Sequence, residues 1–542
     1  MQLDPFHLIQ PITQWASPQN PIPHTPLDTP NSANSSPISS LPPEILAEIF
    51  LLALPADQFP SPSPSAAPLN ILNVCSLWRQ VAKATPALWS ALHLSYQSAD
   101  DDVAPTELWL SHSGNMPLSL SLSIDFDEKP HQAIIDVFTK RSARWKNVRL
   151  EFRHLQCPPM YNLAMAMHNI PMLSSFEFHA RDISTFNVKP ITGLLATAPH
   201  LKELTWVDDL ADAETLHSLP LPRLSRLSLS MDYGSLDYLK LLNLCSNLEH
   251  IRITRPFPEI QPPQPPLVLT KLTSLNIAHD LTGLLDHLIL PSLKHVRVHM
   301  DSGVPEHLNG RYSRAILALP SAAANGTLGM LSWDPTSLLN LVERSSCAIE
   351  TLWVHAPMKE SDLTKCLEAS SRTLKSLTLS GGLVLGDTII RSLTPRRVLA
   401  SVHSTSSLEG DPDKWGCLCP SLSELVLDTP LPSTSSLVEM VQGRLGVTLP
   451  LANWNSASLI PSVTIAAATP QLHIASLGRL KVHYPSGHRD IDCLRELSSV
   501  ANSENAGSFD LSIVESRTGN VRGSSAGRTR SFMYRRKACA SR

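Results

Sequence analysis

The chain has 542 residues, 42% of them apolar and 17% charged, so it can bury several domains' worth of core and is too apolar to remain unfolded. Its net charge of −4 argues against the basic footprint of a nucleic-acid binder, and it has no apolar run long enough to cross a bilayer. The N-terminus MQLDPFHLIQPITQW lacks the positive start and apolar centre of a secretory signal. The nine cysteines are scattered, with no C-x-x-C pair; buried or idle thiols in an intracellular compartment, cytoplasmic and/or nuclear, are the expectation.

Residues 1–38, rich in Pro, Ser and Asn, read as a disordered leader. Residues 39–94 read as a helical module. Ser40 is placed to cap a first helix, with Pro42 and Pro43 in its first turn, Glu44 near the positive end of its dipole, and Leu41, Ile45, Leu46, Ile49, Phe50, Leu52 and Ala53 along one stripe. PADQFPSPSPSAAP (55–68) cannot hold a helix. Asn70 can cap a second helix in which Ile71, Val74, Cys75, Trp78, Val81 and Ala82 share a face, and Ala87–Leu92 makes a short third segment after Pro86. Residues 95–144 connect this module to the rest of the chain through a strand, PLSLSLSID, and a helix, QAIIDVFTKRSARW.

From residue 145 to 499 a repeat sets in. The unit is L-x-x-L-x-L: WKNVRL (145), LSSFEF (173), LKELTW (201), LSRLSL (224), LEHIRI (248), LTSLNI (272), LKHVRV (293), IETLWV (349), LKSLTL (374), LSELVL (422) and LGRLKV (477). Seven of the steps span 21–28 residues, the leucine-rich-repeat range. The 56-residue step after 293 predicts a degenerate copy near 312–331, and the two long steps across 374–477 predict others, notably within 428–476, or insertions. The last two apolar positions, two apart, face one side of a short strand, and the first turns into the same core. DYLKLLNLCSN, ITGLLATAPH and DLTKCLEASSRT supply helices that return the chain. The fold class expected is α/β: a three-helix module followed by a curved leucine-rich-repeat solenoid with a parallel sheet. Residues 500–542 read as a mostly flexible tail, with FDLSIVE as a last strand.

LPPEILAEIF (41–50) with NVCSLWRQVAKATPALWSAL (73–92) resembles the F-box-like domain, and the whole resembles fungal F-box proteins with an irregular leucine-rich-repeat region. The resemblance implies docking to the Skp-type adaptor of a cullin–RING ubiquitin ligase through Leu41, Pro42, Ile45, Leu46, Ile49, Phe50 and Trp78. Val74 and Cys75 would pack the module or extend that surface, and Trp89 would lock it to the first repeat. The Pro/Ser insertion between the first two helices is longer than in the compact motif. The module could instead serve only to cap the end of the solenoid.

The third, fifth and seventh positions of the unit should share the sheet face opposite the core. They hold His250, Arg252, His295, Arg297, His299, Trp353 and His355, with His179, Lys481 and His483 in phase. The set reads either as a solvated face or as a substrate-binding patch. No metal or cofactor is expected, since no Cys or carboxylate spacing accompanies the histidines. GSSAG (523–527) fits G-x-S-x-G but lacks the strand and helix that a nucleophile elbow needs, so no catalytic residue is expected. The function expected is a substrate receptor of a Skp–cullin–F-box type ligase, with an unknown protein substrate and no nucleic acid or membrane partner. The alternative is a repeat-based interaction scaffold with no ligase role.

Overall fold

A computed structural model describes residues 37–96, 103–124, 132–153, 163, 166, 169–181, 188–208, 216–231, 238–254, 265–278, 282–299, 335–356, 358–380, 385–397, 415–428, 434–445, 475–485, 509–516 and 531–534. The chain forms two compact units, Met1–Leu248 and Glu249–Arg542, a boundary inside the span expected to form one repeat array.

The first unit opens with a 3-10 turn, Pro37–Ser40, and helix α1, Pro43–Leu52. The residue before α1 is Pro42 in extended backbone, not Ser40, because Pro43 has no N–H to give and opens the first turn. The expected second helix is two: α2, Leu69–Leu72, and α3, Ser76–Lys83. Cys75 is extended between them and its Sγ accepts the Trp78 N–H at 3.5 Å, an N-cap that starts a new helix. The helical periodicity survives the break because Ile71, Val81 and Ala82 still turn inward, while Val74 and Cys75 turn out.

Leu92 belongs to a strand rather than to a third helical segment: after a 3-10 turn, Pro86–Trp89, the chain enters β1, Ala91–Tyr96. There follow α4, Val103–His112; β2, Leu118–Ile124; α5, Gln132–Thr139; β3, Trp145–Arg153; β4, Ser175–Arg181; α6, Lys189–Ala196; β5, Glu203–Asp208; β6, Arg226–Met231; and α7, Tyr238–Asn243. Strands β1 to β6 are parallel neighbours in chain order.

The second unit contains β7, His250–Ile253; β8, Leu267–Val268; β9, Ser274–Ala278; α8, Thr282–Leu285; β10, Leu288–Ile289; β11, His295–His299; α9, Thr336–Ser345; β12, Thr351–His355; α10, Glu360–Ser370; β13, Ser376–Ser380; α11, Asp387–Leu393; β14, Arg396–Arg397; β15, Trp415–Gly416; β16, Glu424–Asp428; α12, Thr434–Leu445; β17, Arg479–Pro485; β18, Asp510–Ser516; and β19, Ser531–Tyr534. Its sheet runs β7-β9-β11-β12-β13-β16-β17-β18 in parallel, and β19 closes on β18 antiparallel. β19 lies in the stretch expected to be a flexible tail. The pairs β8–β10 and β14–β15 stand apart from the sheet.

All eleven L-x-x-L-x-L copies fall on strands, and none of their first, fourth and sixth side chains is more than 4% exposed. Each such burial stabilises by about 1.5–3 kcal/mol before chain entropy is charged against it. The second residue of each unit extends the ladder. Ser174, Lys202 and Ser225 donate to Lys146, Ser174 and Lys202 in the first unit; Thr273, Lys294, Glu350, Lys375, Ser423 and Gly478 continue from Glu249 in the second, all at 2.8–3.0 Å. Most of the span 428–476 lies outside the described residues. Residues 312–331 lie outside the described residues, and β11 pairs directly with β12. Likewise β13 pairs directly with β16, and β16 with β17. Among the described residues no strand stands between these neighbours.

Candidate functional site

Two surfaces carry the residues singled out from the sequence, one in each unit. The first is α1. Its stripe splits in two: Leu46 and Phe50 are 0% and 1% exposed, whereas Ile45 and Ile49 are 49% and 39% exposed. Leu52, in phase with Ile45 and Ile49 at i+7 and i+3, stands almost bare. Leu41 is half-buried and Pro42 exposed.

The Phe50 ring lies 4.9 Å from that of half-buried Trp78, so this pair closes the module's core. Leu46 and Phe50, expected as adaptor contacts, are enclosed in this chain on the side of α1 that faces α3. Leu52 was legible as part of the stripe but not as its most exposed member. Val74 and Cys75 are exposed.

Trp89 is 3% exposed. It donates Nε1–H to Ala82 O at 2.9 Å and meets Trp109 of α4 edge-on at 4.9 Å. Phe59, 3% exposed in the Pro/Ser stretch, lies beneath the Arg149 guanidinium of β3 at 4.6 Å and ties that stretch to the repeat strands. Arg149 also donates Nε–H to Glu177 at 2.6 Å, and His179 lies 3.8 Å from the same carboxylate oxygen. Burial alone would raise the Glu177 carboxyl; the neighbouring His179 and the hydrogen-bonded Arg149 guanidinium outweigh it and hold it below the usual range.

The second surface is the outward face of β7, β9, β11 and β12. Parallel register sets Arg252 beside Asn276, Asn276 beside Arg297, Arg297 beside Trp353, and His299 beside His355. The rings of His299, Trp353 and His355 are nearly parallel, with centroids 4.5–5.7 Å apart. Arg297 lies over Trp353 at 3.7 Å. His295 bonds Thr351 at 3.1 Å and His355 bonds Ser380 at 2.9 Å, each through Nδ1. His250 occupies the third-position row on β7. Five of the seven expected residues thus cluster tightly, while His250 and Arg252 sit two strands from them on the same face. The ring stack is a product of register, which the one-dimensional pattern does not display.

Among the described residues no three His, Cys, Asp or Glu side chains converge to hold a metal ion, and no helix is long and apolar enough to cross a membrane. The buried thiols of Cys245, Cys366 and Cys419 are pushed up to about 12 by desolvation, so they are not thiolates at neutral pH. GSSAG and the side chain of His483 lie outside the described residues. No protein-family model matches the chain, and no curated protein matches it.

Proposed function

We propose that the chain is the substrate-receptor subunit of a Skp–cullin–F-box type ubiquitin ligase. The α1–α3 module acts as an F-box-like dock for the Skp-type adaptor, and the in-register strands act as a leucine-rich-repeat array that holds a protein substrate. The chain supplies no catalytic group. It acts by proximity, raising the effective concentration of substrate lysines near the transferred ubiquitin inside the cell.

The observation that carries the reading is the outer apolar side of α1. Ile45, Ile49 and Leu52 are exposed on a short helix whose inner side, Leu46 and Phe50, is already fully used. Exposed apolar side chains grouped on one helix face favour a covering partner.

A scaffold without a ligase role is the second reading. It is favoured by the enclosure of Leu46 and Phe50, two of the positions that the resemblance assigns to the adaptor. Titration of the full chain with a Skp-type adaptor separates the two. The expected result is a complex weakened at least tenfold by Ile49→Asp, a change the exposed site tolerates without unfolding. Leu46→Asp is not diagnostic, because it puts a charge into the module's core. Absence of any complex with the intact chain sinks the ligase reading and leaves the scaffold.

A further inference from the structure

Charges on the outward sheet face of the second unit fall into two kinds. Some are compensated within the fold. Glu350 is held between Lys294 at 3.2 Å and Lys375 at 2.7 Å. Arg479 is held between Glu424 at 3.0 Å and Asp510 at 3.4 Å. The fifth-position row is different. Arg252 and Arg297 are both exposed, and neither forms an ion pair with any described carboxylate. Burial, and after it the neighbouring Arg252 cation, disfavour the charged form of Arg297. Asp428, the acidic side chain nearest in register on the neighbouring row, is separated from His355 by Ser380.

The geometry shows what this uncompensated row can take. Arg297 lays the face of its guanidinium on Trp353, which fixes its plane. A guanidinium donates from its edge, so stacking leaves the fork of N–H groups pointing away from the ring and ready for a bidentate anion. Beside it the imidazoles of His299 and His355 stack on each other and on Trp353. From Arg252 to Trp353 there are three inter-strand steps, about 14 Å, or four to five extended residues. One small anion cannot span that distance.

We infer that the row Arg252–Asn276–Arg297–Trp353, with His299 and His355, binds an acidic peptide segment of a partner protein, edge-on at Arg297. The acid is an Asp or Glu carboxylate or a phosphorylated side chain, which share this chemistry. A nucleic acid is disfavoured by the −4 net charge. The inference rests on the proposed reading of this sheet face as a partner-binding surface, and it names the partner's chemistry.

Fluorescence anisotropy on the full chain tests it. The probes are labelled twelve-residue peptides rich in Glu, in phosphoserine or in Lys, and a twelve-nucleotide single strand. The expected result is binding of one or both anionic peptides and not the Lys peptide, with affinity falling at least tenfold in Arg297→Glu and in Arg252→Glu. Lys202→Glu, in the first unit, should leave it unchanged. The ratio of Glu to phosphoserine affinity identifies the natural acid. Equal binding by Arg297→Glu and the unchanged chain, tighter Arg297-dependent binding of the nucleotide, or no binding of either acidic peptide overturns the inference. Panning a random-peptide library separates this failure from that of the underlying reading. Trp353-dependent binders lacking acidic residues would keep the face as a partner surface while removing its preference for acid; no Trp353-dependent binder would remove both.

Discussion

Arg444 of α12 is 3% exposed, yet it is hydrogen-bonded on every side. It donates Nε–H to Leu393 O at 2.9 Å and Nη groups to the carbonyls of Leu418, Cys419 and Leu422 at 3.0–3.2 Å, and it touches Cys417 Sγ at 3.3 Å. Its cationic form is disfavoured by burial and favoured by Cys417 and Cys419, leaving it below its ordinary value. The C-x-C pair thus belongs to a cradle of loop carbonyls around one guanidinium. Arg344 of α9 does the same for Leu285 O and Leu288 O. Arg444→Ala would strand several buried carbonyls at once. It should cost at least about 3 kcal/mol in urea denaturation, and Arg444→Lys should recover only part of that loss, since one ammonium cannot reach the whole set.

The Pro/Ser stretch 55–68 shows how an element without helix or strand becomes structural. Its prolines forbid a helix, but Phe59 is driven beneath Arg149, and Pro60 O accepts the N–H of His93 at 3.0 Å. His93 is held between this stretch and β2, where Nδ1 meets Ser121 Oγ at 2.8 Å. Burial, the largest influence, pushes the His93 pKa below 6.5; Arg149 pushes the same way, and Glu151 and Asp57 oppose it. The unfolded chain therefore binds the His93 proton at a higher pH than the folded chain does. Stability should be at its full value above about 6.5, fall as pH drops through the interval from there to the folded pKa, and level off below it. Urea midpoints recorded across that interval should show this slope, and His93→Gln should flatten it. An unchanged slope in the variant would assign the proton uptake elsewhere.

At the scale of the whole chain, stability comes from stacking: each strand is paired only with its immediate neighbours, and no single L-x-x-L-x-L unit buries enough surface alone. A defect in the middle of such an array should spread outward from its place. Leu352, 3% exposed in β12, lies beside Val296 of β11 and Leu377 of β13. Leu352→Ala should cost about 2–5 kcal/mol by cavity formation. It should also lower amide-exchange protection in β11, β12 and β13 before it does so in β17 and β18 of the same unit. Uniform loss of protection across that unit would show that the second unit unfolds as one block.

The apolar period by itself determined the strands: an L-x-x-L-x-L unit can bury three side chains only by running extended against a copy of itself, so every copy was legible one by one. It also set the outward phase of Arg297, Trp353 and His355, because side chains alternate along a strand. Tertiary structure alone decided which copies are neighbours, since the strands on either side of each long step pair directly with each other. It decided, too, that the stripe on α1 divides into enclosed Leu46 and Phe50 and exposed Ile45, Ile49 and Leu52. A helical period marks residues as apolar on one side, but only the helix that packs there determines how much of that side is covered.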